Sequence, residues 1–266
     1  MVAYHAGRSG GLSGTIIFLK GKGSFMAEMM FYNKLVSLDA KVHGDLRVKP
    51  GMGVEFASKT NSVPVVAVEF ADLAREFPIV FVKGSDDLFM PVALLGLREN
   101  ENLFVNAENK WDGRYLPAFI RRYPFVPAEV KQGEMVVCID ETAACFNKEE
   151  GEMLFDGDQA TPFLQGAIGL LQEYQQTALR TQEFSKKLQD FNLLVESNAE
   201  IKTPTGESFR LSGLFVIDEK RLQVLDKDRV HALFASGELG LIYAQMLSLG
   251  NLQRLVEKLV ARLAAK

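Results

Sequence analysis

The period of the apolar pattern changes near residue 160, and that change limits the folds open to this chain more than any other feature. From residue 31 to 140 the apolar residues come in short β-branched and aromatic runs, FYNKLV, GVEF, PIVFVK and MPVALLGL, broken by Gly, Pro, Asn and Asp. Such runs read as strands. ENE, between MPVALLGLR and NLFVNA, has the length of a hairpin connection. EMVVCID, Glu134 to Asp140, is a further strand whose continuous apolar centre predicts burial on both faces. One helix interrupts this region: Phe70, Leu73, Ala74 and Phe77 share a helical face within VEFADLAREF, and Pro78 ends it.

Beyond residue 160 the steps become three and four. Thr161-Pro162 pairs an N-cap with proline at the first helical position. Leu164, Ala167, Ile168, Leu171, Tyr174, Ala178, Leu188 and Phe191 then mark a long amphipathic helix. AEIKTPTGESFRLSGLFVI reads as a hairpin turning at Pro204-Thr205-Gly206, Asp218 caps a short helix, and two helical segments close the chain. In the last of these, Leu241, Ala244, Leu247, Leu249, Leu252, Leu255, Leu259 and Leu263 form a stripe read as core. The expected class is α+β, a mostly antiparallel sheet region followed by a helical region with an inserted β-hairpin. Residues 1–28 read as a disordered or mis-annotated leader, with Met26, Met29 and Met30 as alternative starts. Residues 29–266 read as a single domain with a sub-boundary in the acidic stretch near 148–160.

Charge and composition remove several function classes. A formal net charge of −4 opposes sequence-independent nucleic-acid binding, which needs a dominating basic surface. The longest uncharged apolar stretches run to about ten residues, against roughly 20 for a membrane-spanning helix. Cys138 and Cys145 lack CxxC spacing and read as reduced thiols. With no export signal recognised in GTIIFL, Gly14 to Leu19, the expected location is cytoplasmic. No dinucleotide fingerprint or phosphate loop occurs, and GRSGG at Gly7 reads as flexible leader, so no cofactor is expected.

Two constellations carry candidate chemistry. The window WDGRYLPAFIRRYPF, Trp111 to Phe125, holds the only tryptophan with two tyrosines and three arginines. This mixture suits a polar-lined crevice or a strongly specified core corner. As a crevice, Trp111, Arg114, Arg121, Arg122, Tyr123 and Asp140 would bind an anionic ligand through the planar Arg fork. As a corner, the arginines would pair with Asp140, Glu141 or Glu69. The second constellation is His43-Gly44-Asp45, an H-x-D with the ligand spacing of an iron oxygenase. His231 is the available third ligand, in an amphipathic segment instead of a strand. The bland alternative is a hydrogen bond between His43 and Asp45. Asp156 and Asp158 read as surface turn acids.

The chain resembles the SapC family, bacterial proteins named for an S-layer-associated gene. The resemblance runs from Phe31 to about Leu255 and is carried by HGDL at His43, NSVPVVAVEF at Asn61, REFPIVF at Arg75, VALLGLRENENLFV at Val92 and WDGRYLPAFIRRYPF. It continues with CIDE at Cys138, LFD at Leu154, TPFLQ at Thr161 and LIYAQMLSLGNLQRL at Leu241. It brings no settled catalytic residues. Family members appear near tryptophan-halogenase-like and cupin-like oxygenases and outer-membrane receptors, which implies a surface-layer, uptake or tailoring context. The expected function is an accessory binding protein for a protein, peptide or small anionic metabolite. The alternative is a metal-dependent oxygenase or hydrolase using His43 and Asp45.

Overall fold

In the computed structural model, which describes residues 4–5, 30–84, 87–131, 134–202 and 208–264, the change of period coincides with the start of the longest helix. In chain order the main elements begin with β1 (Leu35–Ser37), α1 (Ala40–His43), β2 (Ser62–Pro64), α2 (Phe70–Leu73), β3 (Ile79–Lys83) and β4 (Phe89–Leu94). α3 (Ala118–Arg121), β5 (Phe125–Lys131), β6 (Glu134–Asp140) and α4 (Pro162–Asp190) follow. The chain continues through β7 (Leu194–Lys202), β8 (Ser208–Ile217), α5 (Glu219–Gln223), α6 (Lys227–Ala235), α7 (Glu238–Ser248) and α8 (Leu252–Ala264). The class is α+β, with antiparallel sheets and helices gathered in the second half. Contacts divide the chain into two units, 1–53 with 122–175 and 54–121 with 176–266. The acidic stretch 148–160 lies inside the first unit. The leader, apart from Tyr4–His5, and the turn at Pro204-Thr205-Gly206 lie outside the described residues.

In the first unit β6 pairs antiparallel with β5 and β1, and Tyr4–His5 pairs parallel with Met135 and Val136. Val137, Cys138, Ile139 and Asp140 are consecutive and at most 2% exposed, so both faces of β6 are covered, as its apolar run predicts. Leu38, Val48, Phe125, Val137, Ile139, Leu154, Phe155, Leu164 and Leu171 form one core cluster. Leu164 and Leu171 come from the start of α4. There Thr161 Oγ1 accepts the Leu164 amide at 3.3 Å and caps the helix.

The second unit contains a five-stranded antiparallel sheet in the order β7-β8-β3-β4-β2. Its β2 edge is three residues long and ends in Pro64, two features that discourage further pairing. Its β7 edge exposes Glu196 and Glu200. Phe70, Leu73 and Phe77 are fully buried at helical spacing. Regular helix covers only Phe70–Leu73, but Phe77 N still donates to Leu73 O at 2.8 Å before Pro78 stops it.

Three local expectations need correction. GVEF is not a strand: Glu55–Ala57 is a 3₁₀ turn, fixed where Ala57 O accepts from the buried Asn102 side chain at 3.0 Å. Past ENE the chain returns beside β4, with Leu103 N donating to Leu95 O at 2.8 Å, but no paired strand forms. Asn102 Oδ1 accepts the Phe104 amide instead, which turns the backbone. The last apolar stripe is not one helix, because a 3₁₀ turn at Leu249–Asn251 separates α7 from α8. Nor is the α7 stripe core. Leu247 is 76% exposed, and the buried face is Ile242, Gln245 and Ser248. That face is polar because it meets strand ends. Gln245 Nε2 donates to Ile79 O, Gln245 Oε1 accepts from Ile217 N, and Ser248 Oγ accepts from Ile79 N.

Candidate functional site

Two carboxylates build the corner around Trp111. Glu69 and Glu76 stand seven residues apart, two helical turns, beside Phe70, Leu73 and Phe77, and both are buried. Glu69 Oε1 accepts the Tyr115 hydroxyl at 2.9 Å and the Ala118 amide at 2.8 Å, while Oε2 accepts the Val66 amide. Burial raises the Tyr115 phenol pKa first, and the Glu69 charge and hydrogen bond raise it further. Glu76 Oε2 accepts the amides of Arg114 at 2.7 Å and Tyr115 at 3.3 Å. Its Oε1 takes the Arg254 guanidinium at 2.7 Å.

Trp111 completes the corner. Its indole donates to Tyr115 O at 2.8 Å, and its ring lies 5.7 Å from Phe104 and 6.2 Å from Phe77. Gly113 is required by space, since a Cβ there would sit 2.7 Å from Trp111 Nε1 and 3.3 Å from Glu76 Oε2. Arg254, Lys258 and Arg262 recur every four residues on α8 and all engage this region. Lys258 pairs with Asp112 at 2.8 Å over the Phe104 ring, and Arg262 donates to the carbonyls of Asn102 and Val105.

Arg114 and Arg121 differ from their neighbours. Both are exposed, and among the described residues neither guanidinium has a hydrogen bond or ion pair. The Arg114 main chain is nevertheless held by Glu76. The Arg121 amide donates to Pro117 O in α3, and its charge is close enough to act on Tyr115.

Arg122, Tyr123 and Asp140 belong to the first unit. Arg122 is 1% exposed, its guanidinium 4.9 Å from the centre of the Tyr174 ring. Asp140 is fully buried and saturated with donors. Its Oδ1 accepts from the amides of Lys34 and Thr142 and from the Thr142 hydroxyl, and its Oδ2 from the Asn33 amide and the Tyr123 hydroxyl. Burial pushes the Asp140 pKa up, but the donors from Asn33, Thr142 and Lys34 outweigh it and hold the carboxyl below its usual range. Burial first, then Asp140, raises the Tyr123 phenol.

The H-x-D pair separates. His43 ends α1, where Asp39 N donates to its Nδ1 at 3.1 Å, and among the described residues its buried Nε2 has no hydrogen-bond partner. Asp45 turns outward to Lys148 at 2.7 Å, and that bond lowers its pKa. His231 is exposed on α6. Among the described residues no group of three His, Cys, Asp or Glu side chains is placed to hold a metal ion. Asp156 flanks a tight hairpin turn at Gly157, φ +59°, which agrees with a surface-turn reading. The Cys138 and Cys145 thiols are free and pushed up to about 11 by burial.

The sequence argument offered Glu69 as an arginine partner, whereas it takes Tyr115 and the Ala118 amide, and it missed Glu76, Arg254 and Lys258 as parts of this corner. A signal existed for the two glutamates, which occupy the helical face of VEFADLAREF that its apolar residues mark for burial. Nothing local links Arg254 to Glu76, 178 residues away. Among the described residues no single helix is long and apolar enough to cross a membrane. No curated protein and no solved structure matches the chain. The SapC family model matches residues 38–255, most of the chain, and takes in both the Trp111 corner and the Asp140 strand: the chain belongs to the SapC family.

Proposed function

We propose that this SapC-family protein is an accessory binding protein that captures an anionic partner on the Arg114–Arg121 surface of its second unit. The partner would be a carboxylate- or phosphate-bearing protein segment, peptide or small metabolite. The observation that carries the reading is the pairing of a fixed backbone with two guanidiniums that are uncommitted among the described residues. Glu76 anchors the Arg114 amide, Glu69 anchors Tyr115 and Ala118, and both arginine heads remain in solvent. An arginine fork on an ordered backbone loses little freedom on binding and suits planar anions. Arg122, Tyr123 and Asp140 are left out, because their polar groups are buried or bonded within the first unit. The metal-dependent alternative gains no support from the placement of His43 and Asp45. Two free thiols suit a reducing compartment, so we place this binding role in the cytoplasm, within an uptake or tailoring context.

Trp111 is the only tryptophan and reports on its own corner. Titrating its fluorescence with inorganic phosphate, citrate and a polyglutamate peptide tests the reading. At least one should bind saturably and more weakly at high salt, with affinity reduced about tenfold in Arg121→Ala, the loss of one charge-assisted bond. Equal affinity in a folded Arg114→Ala/Arg121→Ala variant, or no binding by any of the three, would sink it.

A further inference from the structure

The two arms of the arginine surface are anchored by different parts of the chain. Arg121 is held locally. Its amide donates to Pro117 O, and Glu69 fixes Ala118 in the same short helix and Tyr115 beside it. Among the described residues no cation bonds to Glu69, whose partners are the amides of Val66 and Ala118 and the Tyr115 hydroxyl. Arg114 is held by Glu76 instead, and Glu76 is held by α8. A carboxylate buried as Glu76 is costs free energy unless a cation faces it. Among the described residues the cation bonded to it is the Arg254 guanidinium, at 2.7 Å. One helical turn further on, α8 grips the same segment again: Lys258 Nζ donates to Asp112 O at 3.1 Å and to the Asp112 carboxylate at 2.8 Å. Gly113 between them contributes no side chain, so hydrogen bonds set where Arg114 lies.

We propose that Arg254 is a positioning residue for the Arg114 arm, acting through Glu76, and that it leaves the Arg121 arm untouched. Its consequence for binding rests on the anion reading above; the relay itself does not. The two oxygens of Glu76 divide the task. Oε1 takes Arg254, which orients the carboxylate, and Oε2 then meets the amides of Arg114 at 2.7 Å and Tyr115 at 3.3 Å. Without Arg254 the carboxylate either stays buried with no cation or turns toward water. Both outcomes weaken its hold on the Arg114 amide. Glu69 has no such dependence, because main-chain amides and a phenol satisfy it. α8 is thus a clamp on one half of the arginine surface, set by residues that never touch the ligand.

Amide hydrogen exchange of the full chain, followed residue by residue by NMR, tests the relay without a ligand. In Arg254→Ala the Arg114 and Tyr115 amides should exchange about tenfold faster, the protection of about one hydrogen bond. The Ala118 amide, held by Glu69, should keep its wild-type rate. Arg254→Gln, which keeps the stem but not the charge, should act in the same direction, and Arg254→Lys, which restores a cation, should recover most of the protection. Unchanged exchange at Arg114 in Arg254→Ala overturns the inference. So does an equal rise at Ala118, the sign of a general loss of stability. Titration with phosphate, citrate and polyglutamate then reads the consequence for binding. Arg254→Ala should cost about tenfold in affinity in the wild type and in Arg121→Ala, but nothing further in Arg114→Ala. An equal cost in both backgrounds overturns the positioning role. No binding by the wild type sinks the anion reading alone, since the exchange rates still decide the relay.

Discussion

Asp140 shows how a residue that reads as part of a ligand crevice is instead held within the fold. Five donor contacts from four residues converge on its two oxygens inside a fully buried site, which leaves no oxygen open to a substrate. Its lowered pKa has a consequence for stability. The carboxylate's contribution is complete above its ordinary value of 3.8 and is lost as the pH falls below that through the depressed folded value. Asp140→Asn should therefore destabilise the neutral protein by about 1–3 kcal/mol, because an amide cannot accept all those donors. The variant should also show a shallower fall in stability below pH 3.8. Urea titrations from pH 7 to pH 2.5 would decide it; parallel acid limbs for both proteins would refute the assignment. The sequence offered Asp140 both as a ligand group and as an ion-pair partner, and the choice was not legible there. Three of its donors are main-chain amides, at Asn33, Lys34 and Thr142, and main-chain donors leave no trace in residue identity.

At the scale of elements, α7 inverts the usual reading of an amphipathic helix. Its leucines supply the visible stripe, yet the buried face carries Gln245 and Ser248, which complete the hydrogen bonding of Ile79 and Ile217 at strand ends. Those groups would otherwise be buried without partners. Gln245→Leu removes an acceptor and a donor while leaving Ile79 O and Ile217 N in an apolar place. It should cost about 1–3 kcal/mol, visible as a lower urea midpoint with unchanged slope. A neutral result would mean that water reaches the strand ends. The same element explains the break before α8: Asn251 turns its side chain to the carbonyls of Ala74 and Phe77 within the 3₁₀ turn. Hydrophobic periodicity located the helical segments but could not see which turn the sheet would recruit.

At the scale of the whole molecule, each unit is assembled from two stretches of chain, and α4 runs unbroken through the junction at 175/176. The two units carry different reporters: Trp111 lies in the second, Cys138 and Cys145 in the first. With thiols pushed up to about 11, labelling by a disulfide reagent at pH 8 should be slow in the folded protein. Thiol reactivity appearing at the urea concentration where Trp111 fluorescence changes would show one transition for both units. Separated midpoints would show two independent folding units. The sequence by itself determined the class and the long elements, though not GVEF, the segment past ENE or the break before α8. Short β-branched and aromatic runs, a three- and four-residue step, caps at Thr161 and Asp218 and a stop at Pro78 are local physics, and each acts where its residues stand. Only the tertiary structure decided what the polar residues do. Glu76 meets Arg254 across 178 residues, Asp45 meets Lys148 instead of His43, and of three neighbouring arginines Arg114 and Arg121 stay in solvent while Arg122 is buried. The physical reason is that burying a polar group is costly unless a partner is supplied, and the partner comes from whichever part of the chain folding brings beside it.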